Sequence, residues 1–281
     1  MRELQLSEGT IGVTERGDGP PVVFVHGVLV NGELWRGSID RLAAGHRCVA
    51  LTLPLGAHRT PMPAGADLSP TGLARMVAEA LERLELEDVT LVGNDTGGAI
   101  CQLVVAHHPE RVGRVALLSC DAYEHFPPTL LKPLCLLARR APGAVEHGLR
   151  SIALRPAQVL VRLSVARRSQ RELERAFFDR LSASAGVRRD LVEVLARAEP
   201  SYTLAAVEGL RRFEGPALVA WADGDLFFPR DDGERLARDL GGRFEVIPDS
   251  RTLVPLDQPA RTADLIERFV AKSAIRDDAA V

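Results

Sequence analysis

Val89-Thr90-Leu91-Val92-Gly93-Asn94-Asp95-Thr96-Gly97-Gly98-Ala99 is the stretch that decides the fold. A β-branched and apolar run ends in a glycine-flanked turn, and an apolar helix pattern follows at once. The centre reads Gly-x-Asp-x-Gly-Gly with Asp95 at the apex, the layout of a nucleophile elbow, where a reactive side chain stands on a sharp strand-to-helix turn. Gly93 and Gly97 let the two backbone arms approach closely. The helix N-terminus supplies amide N–H groups and a partial positive charge beneath the apex. Taken alone, the same residues also read as a plain strand-to-helix turn with Asp95 as N-cap. The flanking sequence decides between the two.

Upstream, residues 3 to 15 hold two weak strand candidates. Pro21 to Val25 is a continuous apolar run, as expected of a strand buried on both faces, and it ends in His26-Gly27-Val28. A helix is predicted over Glu33 to Ala43 and a strand over Arg47 to Leu53. Ser69-Pro70 marks a helix start, with Ser as N-cap and Pro in the first turn, and Leu73, Met76, Val77, Ala80, Leu81 and Leu84 line one face down to Leu86. Downstream, Val112 to Ser119 reads as another buried strand. From about Phe126 to Glu214 the periodicity is helical, cut by Pro133, Pro142, Pro156 and Pro200. Strand and helix then alternate again: a strand from Pro216 to Trp221, a helix from Arg230 to Leu240, a strand from Arg243 to Ile247 and a last helix from Gln258 to Lys272, with a frayed tail beyond. This order predicts a mostly parallel sheet flanked by helices. The core takes residues 1–122 and 214–281, and an all-helical cap is inserted at 123–213.

Composition narrows the function. The 281 residues carry a net charge of −3, which gives no general drive toward nucleic acid or membrane. No apolar run reaches the length of a membrane span. Cys48, Cys101, Cys120 and Cys135 show no metal-ligand spacing, and no secretory signal accompanies them, so reduced thiols in a cytoplasmic protein are expected. Charge is unevenly placed: residues 127–214 hold sixteen Lys and Arg against nine Asp and Glu, a net of +7 that leaves −10 for the remainder.

The order of these segments resembles the α/β-hydrolase superfamily along nearly the whole chain. Phe24-Val25-His26-Gly27 is similar to its strand and oxyanion turn, Asn31 to Arg36 to its first helix entry, and Gly93 to Gly98 to its elbow. Trp221-Ala222-Asp223-Gly224-Asp225-Leu226-Phe227-Phe228-Pro229 resembles the segment carrying its acid, on Asp225. Leu256-Asp257-Gln258-Pro259 resembles the start of its last helix. The resemblance implies an eight-stranded, mostly parallel sheet. An Asp at the apex points to the branch of haloalkane and haloacetate dehalogenases and epoxide hydrolases. There the carboxylate attacks an electrophilic carbon, an ester forms, and a His oriented by an acid activates water to cleave it. By position, the backbone N–H groups of Val28 and Thr96 would hold the oxyanion. No cofactor and no metal are implied.

The departures are as specific as the matches. The segment Ile247-Pro248-Asp249-Ser250-Arg251-Thr252-Leu253-Val254-Pro255-Leu256-Asp257 aligns without a gap, and Thr252 stands where the family has its His. A threonine hydroxyl is no base near neutral pH. Dehalogenase halide donors are missing, since Thr96 follows Asp95 and Val28 follows His26-Gly27. Of the two cap tyrosines expected of an epoxide hydrolase, only Tyr202 is placed for the role. His58, on the loop after the fourth strand, and His125, at the start of the cap, are candidates to replace the missing base. His26 reads as a structural support of the oxyanion turn. Asp121, just after the sixth strand, is a second candidate acid. The paired arginines Arg139-Arg140, Arg167-Arg168, Arg188-Arg189 and Arg211-Arg212 read as solvated faces, with some open to the cleft as the lesser reading. Leu130, Leu131, Leu134, Leu136, Leu137, Phe177 and Phe178 read as cap core, a few of them walling an apolar pocket.

Three functions fit: a hydrolase using Asp95 as nucleophile on a small apolar ester-like, halide or epoxide substrate; a non-hydrolytic lyase, isomerase or cyclase using Asp95 as acid or base; and an inactive small-molecule-binding homologue. The expected partner is a small apolar substrate or ligand, and a homodimer is left open.

Overall fold

The computed structural model describes residues 1–151, 159, 161–166 and 171–278. Arg167-Arg168 and Pro156 therefore lie outside the described residues. Eight strands form one sheet: β1 (Arg2–Leu6), β2 (Gly9–Arg16), β3 (Pro21–Val25), β4 (Arg47–Thr52), β5 (Val89–Asp95), β6 (Val112–Cys120), β7 (Ala217–Ala222) and β8 (Arg243–Ile247). Their order is β1-β2-β4-β3-β5-β6-β7-β8. The β1–β2 and β2–β4 pairs are antiparallel, and every later pair is parallel. From β3 the chain moves outward to β4, then crosses back to β5 and continues the other way. The strand order thus reverses between β3 and β5. In open parallel sheets that reversal leaves a crevice at the carboxyl ends of the strands, and Gly27-Val28 and Asp95 both emerge there.

Burial on both faces explains the unbroken apolar strands. In β3, Val23 and Val25 face one core cluster with Leu73 and Val77 of α2 (Pro70–Arg83) and Ile100 and Val104 of α3 (Thr96–His107). Val22 and Phe24 face the other, with Ile39 of α1 (Arg36–Leu42). Ser69 caps α2 by accepting the Gly72 N–H at 3.1 Å, with Pro70 in the first turn where its missing N–H leaves nothing unpaired. The segment predicted as one helix from Glu33 divides into a 3₁₀ turn, Gly32–Trp35, capped by Asn31, and α1.

Between β6 and β7 the described elements are helical: α4 (Lys132–Arg140), α5 (Pro142–Ser151), α6 (Arg171–Ala183), α7 (Ala185–Arg197) and α8 (Pro200–Arg212). Pro133, Pro142 and Pro200 each sit in the first turn of a helix, so they set where helices begin rather than interrupt them. α4, α5 and α7 pack on one another, whereas α8 lies along α3 with Gly209 against Ala106. After β7 come α9 (Arg230–Asp239), β8, the short α10 (Val254–Asp257) and α11 (Pro259–Asp278). The last helix runs six residues past the expected end at Lys272, so the chain is helical where a frayed tail was expected. Among the described residues, no helix is long and apolar enough to cross a membrane.

The seven expected cap-core residues divide in the structure. Phe177 and Phe178 are buried, while Leu130, Leu136 and Leu137 are exposed. Periodicity identifies an apolar face; whether a neighbour covers that face is set by tertiary packing.

Candidate active site

Asp95 adopts φ 58° and ψ −137° at the junction of β5 and α3. A non-glycine residue here carries backbone strain of order 1–3 kcal/mol, held by its surroundings. The neighbouring glycines make the turn possible. A Cβ on Gly93 would collide with Cys101 Sγ and the Gly97 carbonyl, and one on Gly97 with the Val25 carbonyl.

The Asp95 carboxylate turns back onto its own helix. Its Oδ1 accepts the Thr96 N–H at 2.6 Å, and the Val28 N–H also donates to the carboxylate. The two amides expected to hold an oxyanion are therefore engaged with the Asp95 carboxylate itself. Burial pushes the Asp95 carboxyl up to about 6, opposed by the Thr96 and Val28 hydrogen bonds and reinforced by the charge of Asp225. Gly27 is needed for this approach, because a Cβ there would overlap the Asp95 carboxyl.

Asp121 follows β6 and is fully buried. Its Oδ2 accepts the Thr96 hydroxyl at 2.9 Å, and its Oδ1 is buried with no hydrogen-bond partner. Burial, then the negative charge of Asp95, drives its carboxyl well above the usual range. The Thr96 hydroxyl also hydrogen-bonds Asp95 and so links the two carboxyls. Gln102 fixes the Asp121 backbone, its Nε2 donating to the Asp121 carbonyl at 2.8 Å.

Asp225 and Thr252 meet. The Thr252 hydroxyl donates to Asp225 Oδ1 at 2.8 Å, and the same oxygen accepts the N–H groups of Phe227 and Phe228. Burial raises the Asp225 pKa despite these bonds. Asn94 Nδ2 donates to the Thr252 carbonyl at 2.7 Å and to the carbonyls of Leu118 and Ser119, which fixes the loop beside the elbow. The threonine hydroxyl thus occupies the hydrogen-bonding position on the acid that an imidazole would take at residue 252.

The three histidines expected near the site are each paired with another group. His26 accepts the Leu53 N–H on Nε2 at 3.0 Å, so its Nδ1 carries the hydrogen and donates to the Gly27 carbonyl at 2.8 Å. Burial lowers its pKa to about 4, which keeps the ring neutral as a strut under the Gly27-Val28 turn. His58 Nε2 lies 3.1 Å from Asp190 Oδ2 on α7, both side chains being almost fully buried. His125 Nδ1 lies 2.7 Å from Asp232 Oδ2 on α9. Neither lines the cavity at Asp95, and neither does Tyr202, which packs on α8 among apolar residues of both core clusters.

That cavity has a volume of about 380 Å³. Its floor is Val28, Asp95, Thr96 and Asp121; its walls are apolar, including Leu131, Leu134 and Leu137 from α4, Leu191 and Leu195 from α7, and Phe227 and Phe228. No arginine, lysine or histidine lines it among the described residues. The paired arginines engage other groups: Arg139 with Glu199, Arg188 with the Leu181 and Ser182 carbonyls, Arg211 with Asp239 and Arg212 with Glu208. A second cavity of about 20 Å³ adjoins the first across Thr96 and Asp121. No cluster of metal-ligating side chains occurs among the described residues.

Of the six residues expected around one crevice, the structure brings Val28, Asp95, Thr96 and Asp121 to the cavity, while Asp225 and Thr252 pair with each other and do not line it. The apolar lining from α7 was not foreseen, although Leu191, Val194 and Leu195 repeat at helical spacing.

The comparisons agree with this architecture. A family model described as alpha/beta hydrolase fold matches residues 20–259. Haloalkane dehalogenase 2 of Mycobacterium tuberculosis is 28% identical over 287 residues, covering 95% of this chain and 94% of its own. Among solved structures, an alpha/beta hydrolase fold protein from Burkholderia ambifaria matches with a TM-score of 0.81 at 18% identity, over 94% of this chain and 96% of that one. A thermophilic esterase from Thermogutta terrifontis matches at 0.77 and 19% identity, over 97% and 99%.

Proposed function

This chain belongs to the α/β-hydrolase fold family, and from that premise we propose that Asp95 is the reactive group of an enzyme that moves a proton on a small, uncharged, apolar substrate. Asp95 is the base and Asp121 the neutral acid. The observation that carries this reading is the pair of buried carboxyls joined through the Thr96 hydroxyl, both pushed above the usual carboxylate range, Asp95 up to about 6. Two carboxyls that share a buried site resist ionising together, which suits one to act as base and the other as acid.

In the step envisaged, the Asp95 carboxylate takes a proton from a carbon next to a carbonyl, and the electron pair moves into the carbonyl. The Asp121 carboxyl hydrogen-bonds or protonates the developing oxygen. Returning the proton at a different carbon completes an isomerisation; expelling a neighbouring group completes an elimination. The apolar cavity excludes water and favours an uncharged substrate.

The hydrolytic reading retains one support. Asp95 faces the cavity with its Oδ1 held by the Thr96 amide, so its carboxylate stands where it could attack an electrophilic carbon. Its second half lacks a base, since Thr252 stands on Asp225. General-base help is worth roughly 10²–10⁴-fold, so an ester formed on Asp95 would persist. Incubation with haloalkanes, epoxides and activated esters, followed by intact mass, separates the readings. Proton-transfer chemistry predicts an unmodified chain; a stable adduct mapped to Asp95, or multiple-turnover halide release, overturns it.

A further inference from the structure

Eight large hydrophobic side chains are exposed among the described residues; one of them lines the Asp95 cavity, and five more lie within two residues in sequence of a lining residue. Leu137 is 49% exposed and also lines the cavity, so it straddles the opening. Leu130, Leu136, Leu163 and Leu226 each immediately precede a lining residue (Leu131, Leu137, Ser164 and Phe227), and Val159 lies two before Val161. Leu130 and Leu226 are the most exposed of the eight, at 61% and 59%. Among the described residues, the others of this class that are exposed are Met1 and Leu204. Exposed apolar side chains gathered beside a cavity mark an interaction surface.

The charge distribution says what the surface meets. The segment bearing most of these side chains, residues 127–214, carries +7 in a chain whose remainder is −10. On α4 the exposed side chains are Lys132, Pro133, Leu136, Leu137, Arg139 and Arg140, and α5 adds Arg150. Apolar side chains flanked by exposed cations on one helix suit the boundary between lipid headgroups and acyl chains. A second copy of this chain is disfavoured as occupant, because a two-fold contact would set this positive face against itself.

We propose that the α4–α5 face and the Leu226 loop dock on an anionic lipid bilayer, with the leucines in the headgroup–acyl boundary and the cations against lipid phosphates. The cavity mouth then opens toward lipid, and an apolar substrate enters without crossing bulk water. This inference does not depend on the chemistry assigned to Asp95.

The test is flotation of the full chain with phosphatidylcholine vesicles, with and without phosphatidylglycerol. Binding is expected with the anionic vesicles and weakens in pure phosphatidylcholine and at high salt. Leu136→Ser combined with Leu226→Ser lowers the partition coefficient by on the order of tenfold or more. Arg140→Gln and Arg150→Gln each lower it about fivefold. Asp95→Asn binds vesicles like the wild type, which separates this surface from the catalytic reading. Circular dichroism and melting temperature confirm that each variant is folded. The proposal is overturned by absence of wild-type binding to anionic vesicles, by unchanged binding of folded Leu136→Ser/Leu226→Ser, or by a wild-type dimer in sedimentation that this double variant dissociates.

Discussion

Replacing Asp95 with Asn should stabilise the protein, and by an amount that depends on pH. The folded carboxyl titrates at about 6 against a reference of 3.8, chiefly because of burial. A raised folded pKa means that the unfolded chain releases this proton first. The native state is therefore penalised progressively as pH rises above 3.8, and the penalty is complete above 6. Below 3.8 both states are protonated and the term vanishes. Asparagine mimics the neutral carboxyl, tolerates a positive φ, and keeps an oxygen for the Thr96 and Val28 amides. Linkage over this gap gives a gain of about 3 kcal/mol near pH 7.5 and about 1 kcal/mol near pH 4.5. For a chain of this length the unfolding entropy is roughly 0.6 kcal/mol/K, so the melting temperature should rise by about 5 °C and about 2 °C respectively. Paired thermal melts of wild type and variant at the two pH values measure the difference; groups that do not feel Asp95 cancel, while loss of its charge also eases ionisation of Asp121 and adds to the gain at the higher pH. An equal shift at both values, or a variant less stable than wild type near pH 7.5, refutes the assignment of Asp95 as a buried, destabilised carboxylate.

Other perturbations probe the surroundings. Gly27→Ala puts a methyl where the Asp95 carboxyl stands; turnover should fall by about 100-fold or more, with kcat rather than KM carrying the loss. Thr252→His offers Asp225 an imidazole in place of the hydroxyl; hydrolysis of halides or activated esters should rise, and no gain in any hydrolytic rate contradicts the reading of residue 252 as the vacated base position. His58→Ala removes a buried partner of Asp190; urea unfolding should show a loss on the order of 1–3 kcal/mol, while the pH profile of turnover keeps its shape.

The elbow was legible because its requirements are local. A strand, a tight turn and a helix N-terminus write themselves as β-branched residues, glycines and small polar residues in eleven consecutive positions. The gap-free run from Ile247 to Asp257 likewise exposed Thr252 before any coordinates. The role of Asp121 was only half legible. Its position after β6 could be read, but its raised pKa comes from burial and from Asp95, which is a neighbour in space only. The fate of His58 was not legible, because its partner Asp190 lies 132 residues away on a cap helix. Nor was the exposure of Leu130 and Leu136, since their pattern is the same whether the apolar face is covered by protein or open.

Deuterium incorporation tests the central claim most directly. The protein is incubated in D₂O with a panel of small uncharged ketones and enones, and exchange next to the carbonyl is followed by NMR across pH. The account expects exchange that rises with pH through an apparent pKa near 6, the value set by the environment of Asp95, and that disappears in Asp95→Asn. Exchange that persists in the Asp95→Asn protein, or a wild type that exchanges no member of the panel above background, contradicts it.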